Sequence, residues 1–262
     1  MQKKIVISLC LFFLTGCFQR EKPEIPQEGD IVTWKQNDHL VVKAKLGPRR
    51  IHIPDIYCKR CEAEFYQPEH EHYLGQFPIN YVPEKFNKIS VLEAQALPYP
   101  YAINQLEFNL ALNGSIIQAT DESIHGEDGL DHPDQVKVMV FNRKNDGKRT
   151  SDVIMVREKS YSKEFNVLAS KKYGMKCWNS QETNFLKCYG QSKYKKSVGI
   201  IFTRMGGNAN WVYAQSWEPL YGGVEIKWRM DINNLHHWKE IDSAIWRLLD
   251  TWNVSPISDS SQ

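Results

Sequence analysis

Short runs of alternating apolar and polar residues recur along this chain, and the period changes near its C-terminal end. Residues 31–35 and 40–46 are rich in β-branched side chains and flank Gln36, Asn37 and Asp38, which predicts a hairpin. In 105–112, Leu106, Phe108, Leu110 and Leu112 fall on one side of an extended segment. Residues 135–141, 152–157, 173–178, 186–190 and 198–205 are further strand candidates, with shorter ones at 49–53, 88–92 and 116–119. Residues 211–217 and 223–229 alternate cleanly across a turn-rich link. From Leu235 onward the apolar positions are Leu235, Trp238, Ile241, Ile245, Leu248, Leu249 and Trp252, which trace one face of a helix. Asn233 or Asn234 suits the N-cap, and Pro256 stops the helix. The expected fold is α+β: a mostly antiparallel β-sheet with a C-terminal amphipathic helix packed on it.

Two stretches break the pattern. Residues 54–101 contain Pro54, Pro68, Pro78, Pro83, Pro98 and Pro100 and read as largely irregular. Residues 120–134 form an acidic loop with Asp121, Glu122, Glu127, Asp128, Asp131 and Asp134. Their spacing departs from an EF-hand, so a solvated loop is the simpler reading than a calcium site. Loops on a rigid scaffold carry most recognition, which makes 58–101 and 120–134 the expected contact surfaces.

The first residues belong to another class of segment. Lys3 and Lys4 precede a short apolar run that ends Leu14-Thr15-Gly16-Cys17. A charged start, a short apolar stretch and a small-residue end describe a secretory signal, and a run of about ten residues is too short for the ~20 that cross a bilayer. Leu-Thr-Gly-Cys resembles the lipobox of bacterial lipoproteins. The resemblance implies cleavage before Cys17 and diacylglycerol on its thiol. Phe18, rather than Asp, follows the cysteine. By the same resemblance this implies an outer-membrane, periplasm-facing protein. The expected organisation is signal peptide 1–16, lipidated Cys17 and flexible tether 17–29, one globular domain 30–256, and a disordered tail 257–262.

Processing changes the charge and the cysteine count. Loss of Lys3 and Lys4 takes the formal net charge from +2 to zero, which argues against a nucleic-acid partner and against strong binding to anionic lipid by net charge. Lys193 to Lys196 and the acidic loop remain as local charge patches. Cys10 leaves with the signal, and Cys58, Cys61, Cys177 and Cys188 remain beside Cys17. An even number in an exported chain reads as disulfides, paired locally as Cys58–Cys61 and Cys177–Cys188. Cys58, Cys61, His70 and His72 also have spacing permissive for zinc, and Cys58-Lys59-Arg60-Cys61 for a redox pair. Both alternatives stay open.

No Gly-x-Ser-x-Gly elbow, phosphate-cradling glycine loop or His-Glu-x-x-His motif occurs in the sequence. His236 and His237 are adjacent, and adjacent helix residues diverge by about 100°. No catalytic residue, metal or cofactor is therefore assigned. Residues 219–229 (PLYGGVEIKWR), 234–242 (NLHHWKEID), 245–249 (IWRLL) and 252–256 (WNVSP) resemble the end of small bacterial lipoproteins encoded beside type VI secretion effectors, the Tli-type immunity proteins. That likeness implies a non-enzymatic, membrane-anchored protein that binds and neutralises a lipase-like effector toxin. The readings from other classes are an envelope-assembly scaffold with a resident periplasmic partner, and a metal-dependent periplasmic enzyme.

Overall fold

The chain is described by a computed structural model over residues 26–49, 73–97, 105–115, 130, 132–143, 149–161, 164–179, 186–204 and 210–257. The strands are β1 (Ile31–Asn37), β2 (Leu40–Lys45), β3 (Gln76–Pro78), β4 (Gln105–Ala111), β5 (Gln135–Asn142), β6 (Lys176–Asn179), β7 (Leu186–Gly190), β8 (Ile200–Arg204), β9 (Trp211–Glu218) and β10 (Val224–Asp231). The helices are α1 (Val91–Ala96), α2 (Thr150–Tyr161), α3 (Val167–Tyr173) and α4 (Trp238–Trp252), and 3-10 turns occupy Leu220–Gly222 and Ile232–His237.

β1 and β2 form the expected hairpin, and the other strands make one sheet in the order β3-β4-β5-β10-β9-β8-β7-β6. Its pairs are antiparallel, save β3 with β4. The fold is therefore the expected α+β arrangement, with a C-terminal helix on the sheet. Strict alternation along β10 puts Val224, Ile226, Trp228 and Met230 inward and leaves Glu225, Lys227, Arg229 and Asp231 half-buried on the other face.

α4 lies against the inward face. Trp252 meets Phe108 of β4 edge-on at 5.2 Å, and Trp238 meets Phe202 of β8 at 5.7 Å. All seven residues of the expected stripe are buried, and so are Asp242, Ala244 and Trp246. The buried arc is wider than the sequence stripe because the hairpin and the 191–197 segment cover further sides of the helix. Trp34, Leu40, Val42 and Ala44 of the hairpin join the same core. Asn253 clips the hairpin on, its Oδ1 accepting from the Val41 amide (3.2 Å) and its Nδ2 donating to the His39 carbonyl (3.0 Å). At Gly190 a Cβ would stand 2.7 Å from the Trp238 ring, so only glycine allows that tryptophan to sit flat on β7.

Four local expectations are corrected. Residues 152–157 are not a strand but the middle of α2. A short apolar run carries no period that distinguishes the two, and here Ile154, with Val153, packs on Ile201 and Trp217 while Met155 and Val156 point outward. Residues 88–92 are not a strand, since Ser90 caps α1 by accepting from the Glu93 amide (3.1 Å). Residues 173–178 split between a helix end and a strand. Asn166 caps α3, and Gly174, at φ 64°, closes it in the left-handed conformation that frees the chain to enter β6. The C-terminal helix also starts later than its N-cap candidates: Asp231 accepts from the Asn233 amide and caps a 3-10 turn that precedes α4. The candidate at 49–53, save Arg49, and that at 116–119 lie outside the described residues.

Candidate interaction surfaces

Cys177 and Cys188 face each other across β6 and β7 and form a disulfide, with Cα atoms 4.0 Å apart. Cys17, Cys58, Cys61, His70 and His72 lie outside the described residues. Of the acidic loop, Leu130, His132, Pro133 and Asp134 are described. Its end is fastened to the body: Ser115 donates to Asp134 (3.1 Å) and Asn234 donates to the Pro133 carbonyl (2.7 Å). Among the described residues, no three His, Cys, Asp or Glu side chains converge on a point where a metal ion would sit. The 3-10 turn brings the His236 and His237 rings to 3.9 Å, closer than helical spacing implies.

Carboxylates cluster instead around the 191–199 segment between β7 and β8. Ser192 donates to Asp242, as does the Trp246 indole N–H (3.1 Å). Tyr194 donates to Asp250 and stacks on Trp246, ring centroids 5.1 Å apart. Glu218 Oε1 accepts from Ser197, Ser216, Thr150 and the Val198 amide. Burial pushes the Asp242 carboxyl up to about 6 against the opposing pull of its two donors, and burial likewise raises Glu218. Tyr221, at positive φ (52°), also donates its hydroxyl to Asp250. Ser192, Tyr194 and Tyr221 turn their hydroxyls onto carboxylates, while Ser216 and Thr150 lie within reach of both Glu218 and a backbone carbonyl, of Gly199 (2.8 Å) and Trp217 (3.0 Å) respectively. Chemically it is a clamp that ties a loop, a turn and a helix together. No short sequence motif marks it, since most of its partners are 20 to 68 positions apart.

No protein-family profile, curated protein or solved structure matches the chain.

Among the described residues, large apolar side chains reach solvent mainly in two places. The first is the 79–97 segment, inside the stretch expected to make contacts. Arg247 of α4 donates to the carbonyls of Ile79 (3.0 Å) and Tyr81 (2.6 Å), and the Ile89 amide donates to Val254 (3.1 Å). Ile89 and Ala94 pack with Val41 and Val254 in a small core of their own. That frame holds Val82, Val91 and Leu92 outward at 73%, 56% and 78% exposure. Glu84, Lys85, Lys88 and Glu93 surround them and balance in charge. Tyr81 stacks on Phe77, which lines a cleft of about 310 Å³ shared with Lys45, Tyr73 and Gln76.

The second place is the turn from α2 into α3 around the β6 edge. Met155, Val156, Phe165, Val167 and Leu168 are exposed there, Leu168 by 83%. Sequence reading missed it because 152–157 looked like a strand and 173–178 like another, so no outward helix faces were expected.

Proposed function

We propose that this protein is a bacterial envelope lipoprotein, anchored through Cys17, that binds and neutralises a type VI secretion effector at the outer membrane and needs no active site of its own. The supporting observation is the 79–97 surface. Val82, Val91 and Leu92 stay exposed on a segment fastened at Arg247 and Ile89, which is how a preorganised protein interface is built. A neutral rim suits a protein partner, whose interface centre is depleted of charge. The lipobox-like sequence would place this surface where a membrane-attacking toxin arrives.

Coexpression with the product of the adjacent gene in the periplasm tests the reading. Protection that is lost in V91D/L92D is the expected result. A neighbour that is harmless alone, or equally toxic beside this protein, overturns it. Capture of a resident envelope complex through the same surface would replace it with the scaffold reading.

A further inference from the structure

We propose that the cleft between the end of β2 and the segment entering β3 binds a small zwitterion of the amino-acid type. Its ammonium meets Glu28, its carboxylate meets Lys45 and its apolar side chain enters the cleft.

Backbone pairing builds the cleft. The Gly29 amide donates to the Leu46 carbonyl (2.9 Å), and the Leu46 amide to the Asp30 carbonyl (2.8 Å). The Gly47 amide donates to the Tyr73 carbonyl (2.8 Å), and the Leu74 amide to the Glu107 carbonyl of β4 (2.8 Å). Residues 29–30, 46–47 and 73–74 are thus stitched in a row to the main sheet, and the cleft of about 310 Å³ that they border is preformed. Glycine at position 47 lets the rows pass this closely, since a Cβ there would stand 2.6 Å from the Tyr73 ring and 2.7 Å from the Gly75 Cα.

The interior is apolar. Leu46, Tyr73 and Leu74 are buried and line it together with Phe77. The Phe77 ring is fixed in turn, stacked on Tyr81 at 4.8 Å and tilted against Trp252 at 5.4 Å.

The same cleft carries opposite charges. Glu28 and Lys45 both line it, and both are exposed. Among the described residues, neither pairs with the other or with any further charged group. The Glu28 charge acts on the Tyr73 hydroxyl: burial first, and Glu28 after it, push that group up to about 12, so it stays an O–H in neutral solution.

A preformed, mostly apolar cleft with a few polar groups is the make-up of a small-molecule site, and this one is at the small end of the usual range. A singly charged ligand would satisfy one of the two side chains and leave the other in water. A molecule that carries both charges beside an apolar group satisfies both. That is the chemistry of an amino acid with an aromatic or aliphatic side chain.

Titration of the full-length protein with phenylalanine, read by saturation-transfer NMR of the ligand, provides the test. Phenethylamine lacks the carboxylate, and 3-phenylpropionate lacks the ammonium. The expected result is saturable binding of phenylalanine with a Kd on the order of a few millimolar, with each analogue at least about threefold weaker. In K45M, phenylalanine and phenethylamine should bind alike. In E28Q, phenylalanine and 3-phenylpropionate should bind alike. Both positions are exposed, so neither substitution threatens the fold. Absence of saturable binding overturns the proposal. So do equal affinities for all three molecules in the parent, or a preference for phenylalanine that survives both substitutions. No toxin enters the experiment, so its failure leaves the toxin-binding reading untouched.

Discussion

The 79–97 segment and the helices α2 and α3 both expose apolar side chains and differ in what holds them. In the first, the backbone is pinned by a guanidinium and a small core, and acidic and basic neighbours cancel. In the second, α3 is pinned to a strand edge that a disulfide locks, and α2 is held by an ion pair to that strand and by Ile154 on the sheet. Exposed hydrophobicity alone marks a contact. How firmly the backbone beneath it is held decides whether it is preorganised for a partner.

If the two surfaces are fastened independently, loosening one leaves the other intact. The largest effect is expected from C177S/C188S, which opens a loop of sequence separation 11. Stability to urea should fall by about 3 kcal/mol. Hydrogen exchange should rise in 164–179 and stay unchanged in 79–97. Exchange rising in both segments would mean they share one support. Ile89→Ala is the converse. Removal of that side chain from the small core should cost about 2 kcal/mol and raise exchange in 79–97 alone.

The body between them carries a smaller, pH-dependent effect. The folded Asp242 carboxyl titrates near 6, above its ordinary 3.8. Folding therefore favours its protonated form. The stability this contributes is complete below about pH 4 and is lost as pH rises through 6. D242N should be more stable than the parent by about 1–2 kcal/mol at pH 7, after some loss of hydrogen bonding to Ser192 and Trp246. The difference should vanish by pH 4, as read from urea midpoints across pH. A difference that does not change with pH would show that Asp242 is ionised throughout.

Stability effects should be least in V91D/L92D and V167D/L168D, each within about 0.5 kcal/mol because the side chains are already in water. Their binding phenotypes should diverge. The first should lose the protein partner, and the second should keep it. Loss of the partner in both variants would merge the two surfaces into one.

Much of this was legible in the residues. The hairpin, β4, β5, β7 to β10 and the C-terminal helix followed from periods of two and 3.6, because one buried face imposes its period on the side chains. The facing of Cys177 and Cys188 was also foreseen, from a polar stretch able to turn back between two short strands. Residues 152–157 were misread because Val-Ile-Met-Val fits a buried strand as well as a helix that covers a sheet, and only the position of Ile201 and Trp217 beneath Ile154 decides. The candidate surfaces were half legible. The 58–101 stretch was singled out as irregular, and 79–97 within it proved to be held in place by Arg247, a residue about 166 positions away.

By itself the sequence determined the fold class, most of the strands and the amphipathic C-terminal helix. Each of these is written in local period. Only the tertiary structure decided that Asp242, Asp250 and Glu218 converge on one loop. It alone decided that Trp246 is buried with the core stripe, and that Met155, Val156, Val167 and Leu168 are left facing solvent. Burial on a helix depends on what other segments cover it. That follows from contacts between residues far apart in the chain, which no local pattern encodes.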